Sequence, residues 1–350
     1  MIEILTERSE WNNIIKTVEH CDFYHTYHYH YLSKGEDETP ILIHYEEEGS
    51  SIILPLMLRD IEGTSYKDVT SVYGYAGPLC STKSLNFENT KFKSELKKLF
   101  LEQKIVSVFS RLHPYIDHQE EILANIGEIS SPGEVVYIDL TLPIDLQRQQ
   151  YSSRLKTYIN KSRKVCSVRK GTSEEDIRTF IDIYYENMRR VNADESYFFN
   201  DRYFYQFMLS SFFKTELLLC VIDETNEVIA GAMFIKMDDI VQYHLSGYKE
   251  EYLNLNAIKL IIDTMRINAT EEGYKYFNLG GGKGVKNDSL FAFKSTFSKN
   301  HKPAKFWKYI VNPKVYKDLT EKQKEFLSDS TNDGESNFSS VSPNTQITLS

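Results

Sequence analysis

The stretch Tyr276–Ser298, YFNLGGGKGVKNDSLFAFKSTFS, decides how this chain is read. An apolar strand runs into Gly280, Gly281 and Gly282, and a short amphipathic segment carrying Phe293 and Lys294 follows. Such glycines suggest a phosphate cradle, but the spacing refuses it. A Walker loop needs Ser or Thr after the Gly-Lys pair, whereas Gly284 follows Lys283. A dinucleotide fingerprint needs a sixth-place glycine, and Val285 or Asn287 stands there. No long helix starts at this point to lend its dipole to an anion. What remains is a strand end where backbone takes φ > 0 or where something approaches closely. Three adjacent glycines exceed what a plain turn requires, which favours close approach of a ligand.

Working outward, TELLLCVID, EVIAGAMFIKM and IVQYHLSGY read as three strands joined by tight turns, with LNAIKLIIDTMRINATEEG as the next helix, ending at Gly273. Before them lies an amphipathic helix with Ile177, Phe180, Ile181, Tyr184, Met188 and Val191 on one face. PIDLQRQQYSSRLKTYINKSRKV reads as one long connecting helix with Pro143 in its first turn. The first part repeats this grammar: a strand IEIL, a helix capped by Ser9, a hairpin through PILIHYEEEGSSIILPLMLRDI, then alternating helices and strands to Thr141. The expected division is 1–142, 143–327 and a disordered Ser/Thr/Asn-rich tail 328–350.

Composition narrows the function. An apolar share of 41% over 350 residues supports two packed cores and excludes global disorder. A net charge of −9 argues against non-specific binding to nucleic acid, DNA included, unless a local basic patch overrides it. Cys21, Cys80, Cys166 and Cys220 lie far apart without a CxxC pair, so they read as reduced thiols. The acidic start MIEILTERSE is no secretory signal, and no apolar run reaches the ~20 residues of a membrane span, so a soluble cytoplasmic protein is expected.

The order of the second part resembles the acyltransferase fold of the GNAT superfamily of N-acetyltransferases. FNLGGG, Asp288, Phe293-Lys294 and Phe297 look like the Fem family of peptidoglycan bridge-forming transferases and its FemAB-related acetyltransferase relatives. RLKTYINKSRKV is similar to that family's inter-domain segment, and TSVYGYAGP to the Gly-Pro element of its first domain. The resemblance implies an α/β chain of tandem GNAT-like acyl-CoA N-acyltransferase domains, each a mixed, largely antiparallel sheet flanked by helices. It also implies a groove between the domains and transfer of an acyl or aminoacyl group to an amine. The acceptor it implies is an amine of a cell-envelope or glycan precursor. The family's lysine beside the reacting groups carries over to Lys294. Physically, a fixed ammonium in a water-poor cleft stabilises the negative charge that builds on an attacked carbonyl.

The match fails where enzymes of this superfamily hold the pyrophosphate of coenzyme A. GYKEEYLNLNAIK keeps only Gly247 of the glycine-bearing pattern and adds Glu250 and Glu251. Acetyl-CoA stays the expected donor with this departure against it. An aminoacyl-tRNA donor, or a binding protein that lost the chemistry, are the alternatives, and tRNA enters only under the first of them. His244, a base candidate on the strand, or a sheet histidine, and Asp288, which orients the amine, deprotonates it or caps DSLFAFK, complete the catalytic candidates. Gly280, Gly281, Gly282, Phe293, Tyr243, Tyr197 and Arg190 are the substrate-binding ones. His25, His28 and His30 lack an acidic or thiol partner at ligand spacing, so no metal is expected. The basic block from Arg154 to Lys170 reads as a solvated face or a phosphate-facing one.

Overall fold

Ile41, Ile43 and Tyr45 alternate along one strand and Ile52, Leu54 and Leu56 along its neighbour, so each strand offers one apolar face. The computed structural model describes residues 1–47, 49–81 and 89–330. Its strands are β1 (Ile2–Leu5), β2 (Glu38–Glu47), β3 (Ser50–Asp60), β4 (Lys67–Thr70), β5 (Leu79–Cys80), β6 (Ile105–Arg111), β7 (Glu128–Asp139), β8 (Cys166–Gly171), β9 (Lys214–Ile222), β10 (Val228–Met237), β11 (Ile240–Tyr248), β12 (Tyr276–Gly280) and β13 (Asn300–Ile310). Its helices are α1 (Arg8–Ile15), α2 (Tyr27–Ser33), α3 (Thr90–Glu102), α4 (Gln119–Ile122), α5 (Ile144–Gln149), α6 (Ser153–Ser162), α7 (Glu174–Arg190), α8 (Asp201–Met208), α9 (Ala257–Glu271), α10 (Ser289–Lys294) and α11 (Pro313–Ser330).

The chain divides into two compact units. Unit 1 takes Met1–Glu19, Ser33–Ser130 and the chain from Phe306; unit 2 takes His20–Leu32 and Ser131–Lys305. Where the sequence suggested domains 1–142 and 143–327, the structure sends His20–Leu32 and residues 131–142 to unit 2 and the chain from Phe306 to unit 1. These assignments rest on long-range contacts that no local pattern encodes. The tail expected from 328 lies outside the described residues beyond 330, and 328–330 close α11.

In unit 1 the strand order is β1-β2-β3-β4-β6-β13, with only β4 and β6 parallel and β5 added on β3. Phe92, Leu96 and Phe100 recur at helical spacing on α3 and bury against the alternating strand residues. In unit 2 the order β8-β9-β10-β11-β12-β7 repeats the scheme, again with one parallel step, β11 to β12. Each unit is thus the mixed, largely antiparallel sheet with flanking helices that the GNAT resemblance implied.

One face of unit 2's sheet packs on α6 and α9 through Leu155, Ile159, Ile261 and Met265. The other face meets α7, whose Ile177, Phe180, Ile181 and Tyr184 are buried as their spacing predicts; Val191, the C-cap, is exposed. Close approach of α7 explains Gly247, where an added Cβ would lie 2.8 Å from the Ile183 carbonyl oxygen.

Two local readings are corrected. α1 starts at Arg8 after Glu7, so Ser9 lies inside the helix and is not its cap. The connecting helix is two helices. Ser152 accepts from Leu155 N at 3.2 Å as the N-cap of α6, and its own N–H goes to Thr296 O, which ends α5. Pro143 is the N-cap position of α5. The basic block is partly tied down: Arg163 pairs with Asp263, Arg169 with Asp176 and Lys170 with Glu216.

Candidate active site

β11 and β12 pair only over Ile240–Gln242 and Tyr276–Asn278. Immediately beyond, both strands bulge. On β11, Tyr243 opposes Phe234 and Leu245 opposes Met233, leaving His244 without an opposed residue. On β12, Asn278 opposes Tyr137 and Gly280 opposes Val136, leaving Leu279. A bulge bends its strand and ends regular pairing, so the two parallel strands part here. The segment from Gly280 to Lys294 follows at the carboxyl end of β12, where open sheets place ligands.

The glycines serve this protein's own packing. Gly280 has φ +77°, a left-handed conformation that favours glycine. A Cβ on Gly281 would lie 2.9 Å from Glu134 O, and one on Gly282 would lie 2.1 Å from Lys286 O and 2.3 Å from Asp288 Oδ1. The α-carbons of Gly281 and Gly282 therefore face protein, and a ligand finds no room on that side. Val285, β-branched, is held at φ +64°, a strained conformation for its type.

Asp288 explains that packing. Its Oδ1 caps α10 by accepting from Phe291 N at 2.9 Å, and its Oδ2 accepts from Lys283 N at 2.8 Å. The Phe291 bond is the largest cause holding this carboxyl below its usual range. Asp288→Ala should cost about 1 kcal/mol of stability, read from the urea midpoint at constant m-value.

Lys294 closes the loop. It is 8% exposed at the end of α10, and its Nζ donates to Gly281 O at 2.6 Å. Burial pulls the ammonium down to about 8, while the Asp288 charge pulls the other way. One of three ammonium donors is committed to Gly281. Phe293 beside it packs edge-on against Phe297 at 5.5 Å.

The remaining candidates are placed separately. His244 Nε2 lies 2.9 Å from the Tyr203 hydroxyl, and its ring stacks on Phe207 at 4.9 Å and meets Phe23 edge-on at 5.5 Å. Burial pushes this imidazole down to about 3, so it is neutral at physiological pH and a weak base there. It shares no hydrogen bond with Asp288 or Lys294. The Tyr243 hydroxyl bonds the Ser246 hydroxyl and is pushed up to about 12 by burial. Arg190 bonds Asn187 at 2.6 Å and lies 4.4 Å over the Tyr248 ring. Tyr197 accepts from the Tyr184 hydroxyl through its backbone oxygen, at 2.9 Å. The structure thus joins Lys294, Asp288, Gly281 and Gly282 directly, and sets His244 and Tyr243 on the strand across the divergence.

Three buried polar residues escaped the sequence reading. Gln242 Nε2 donates to Asp22 Oδ2 at 2.5 Å, Asn278 Nδ2 to Gln242 Oε1 at 2.7 Å, and Gly280 N to Asn278 Oδ1 at 3.0 Å. The signal was present as single amides inside apolar strands, in VQY and FNL. Among the described residues no group of three His, Cys, Asp or Glu is placed to hold a metal, and no helix is long and apolar enough to cross a membrane.

Glu250 and Glu251 begin the 3₁₀ turn Glu250–Leu255 ahead of α9, where their charge is of the wrong sign for a pyrophosphate, and the Glu250 N–H donates to Glu186 Oε1 at 3.0 Å.

Residues 220–321 match the model of the FemAB family. This part of the chain is FemAB-like. The chain shares its fold with FemX, at TM-score 0.69 and 14% identity over 90% of this chain and 99% of that one. L-PGS from Bacillus licheniformis aligns at TM-score 0.59 and 14% identity, over 88% and 93%. A conserved protein of unknown function from Bacteroides thetaiotaomicron aligns at 0.56 and 10%, over 89% and 100%. No curated protein matches the sequence. The FemAB-like stretch holds the whole constellation of Gly281, Gly282, Asp288 and Lys294.

Proposed function

We propose that the protein transfers an aminoacyl or related acyl group, presented as an ester such as aminoacyl-tRNA, to an amine of a cell-envelope or glycan precursor. The observation that carries this reading is the buried Lys294 ammonium, fixed on Gly281 O beside the point where β11 and β12 part. The FemAB match over that stretch and the fold shared with FemX support it.

The chemistry is amide formation. The amine nitrogen attacks the ester carbonyl carbon, a C–N bond forms, the C–O bond breaks, and the amine's proton leaves with the alcohol. Lys294 stabilises the negative carbonyl oxygen between these events without itself exchanging a proton. His244, neutral and hydrogen-bonded to Tyr203, shapes the wall of the divergence and leaves proton transfer to solvent or substrate.

The acidic pair Glu250 and Glu251 in the loop before α9, whose charge repels a pyrophosphate, favours an ester over a CoA thioester. Calorimetric titration of the purified protein with acetyl-CoA should give no saturable heat up to about 1 mM. Consumption of aminoacyl-tRNA in the presence of an amine acceptor should be saturable. Micromolar binding of acetyl-CoA, with no consumption of aminoacyl-tRNA, would overturn the reading in favour of an acyl-CoA N-acyltransferase.

A further inference from the structure

We infer that Asp22, Gln242 and Asn278 form a one-way hydrogen-bonded tie that positions Lys294, acting through the backbone of Gly280 and Gly281. The inference rests on the transferase reading only for the use made of Lys294.

An ionised carboxylate accepts hydrogen bonds and donates none. Gln242 must therefore turn its NH₂ to Asp22, which leaves its carbonyl for Asn278. Asn278 must in turn present its NH₂ to that carbonyl, and its own oxygen is left to accept the Gly280 N–H. The carboxylate at one end and the Gly280 N–H at the other thus demand the same orientation of both amides. All three side chains are at most 2% exposed, so water offers no alternative partners. The tie ends on a left-handed residue, Gly280 at φ +77°, and the next carbonyl, Gly281 O, receives Lys294 Nζ at 2.6 Å.

The far end is anchored as firmly. Asp22 Oδ1 accepts from Phe23 N at 2.7 Å, and Asp22 N donates to His25 Nδ1 at 3.0 Å. This gives the segment His20–Leu32 a purpose within unit 2. It delivers a buried carboxylate beneath the two strands at the pair where they part, Gln242 and Asn278. Asp22 touches no reacting atom and is a positioning residue.

The arrangement can be reversed with its charge kept. In Asp22→Asn one amide oxygen cannot accept from both Phe23 N and Gln242 Nε2, so the tie breaks at one of its links. In Gln242→Glu two carboxylates meet. In the double variant the amide at position 22 donates to the carboxylate at position 242. That carboxylate also accepts from Asn278, and the pattern at Gly280 is restored.

The test reads amide hydrogen exchange at Gly280 and the pH titration of the Lys294 ε-carbon by NMR. The Lys294 signal is identified by its loss in Lys294→Arg, and the full chain is used without substrate. Each single variant should speed Gly280 exchange at least about 10-fold and move the Lys294 midpoint by about half a pH unit or more. The double variant should bring exchange back to within about twofold of wild type. Should Asp22→Asn fail to fold, Asn278→Ala breaks the tie at its last link and should give the same acceleration. Single variants that are less stable yet leave both readouts unchanged would overturn the inference, as would a folded double variant as displaced as the singles. Because neither readout needs turnover, failure of the tie and failure of the transferase reading are separately visible.

Discussion

Lys294→Met should lower the transfer rate by about 10²–10³-fold while the protein becomes more stable at pH 7. The loss follows from the proposed role of this buried ammonium as the partner of the developing oxyanion. The gain follows from linkage. Burial lowers the Lys294 ammonium from 10.5 to about 8 in the folded protein, so the unfolded chain binds more protons between those values. Stability therefore rises with pH through that window, and at pH 7 the full penalty, about 3 kcal/mol, is present. Methionine fills similar space without charge, and the orphaned Gly281 carbonyl takes back about 1 kcal/mol. Urea unfolding at pH 7 should show Lys294→Met ahead of wild type by about 1–2 kcal/mol. A variant that lost both activity and stability would mean that Lys294 is a structural residue.

Gly282→Ala should be the most damaging single methyl group in the site. The backbone of Gly282 has φ −78°, so the objection is space alone. The new Cβ would meet Lys286 O at 2.1 Å and Asp288 Oδ1 at 2.3 Å; the carboxyl oxygen cannot move without breaking the α10 cap, and Lys286 O is backbone that accepts the Asp288 N–H. Overpacking and cap loss together should cost about 3–4 kcal/mol and displace Lys294 from Gly281. Gly284→Ala is the matched control. Its φ is +61° but nothing lies within 4 Å of the added Cβ, so it should cost only about 1 kcal/mol. Thermal unfolding of the two variants should separate them clearly, and equal losses would mean that conformation, not space, sets the need for glycine.

Local pattern made much of unit 2 legible before any coordinates. Alternation gave the β9–β11 meander, a left-handed Gly273 ended α9, and Asp288 before SLFAFK read as a cap. The same words singled out Lys294, which the structure buries on Gly281 O. Other features were hidden for physical reasons. Bulges at His244 and Leu279 depend on register between strands far apart in sequence, and single-strand periodicity carries no register. The pairing of Phe306–Ile310 with Ser107–Arg111 is of the same kind. The break falls at Ser152, the first of two adjacent serines in a sequence otherwise fit for helix, where the deciding hydrogen bond goes from Ser152 N to Thr296 O. The glycine triplet was read as room for a ligand, because sequence cannot say that Glu134, Lys286 and Asp288 already fill that space.

The most direct test of the central claim is the ratio of transfer rates, wild type over Lys294→Met, from pH 6 to pH 10 with an aminoacyl ester donor. Titration of the acceptor amine affects both proteins alike and cancels in the ratio. A ratio near about 10² below pH 8 that falls towards unity with a single-proton midpoint near 8 is the predicted result. A ratio that climbs through pH 8 would make Lys294 a base, and a ratio near unity throughout would remove it from the chemistry.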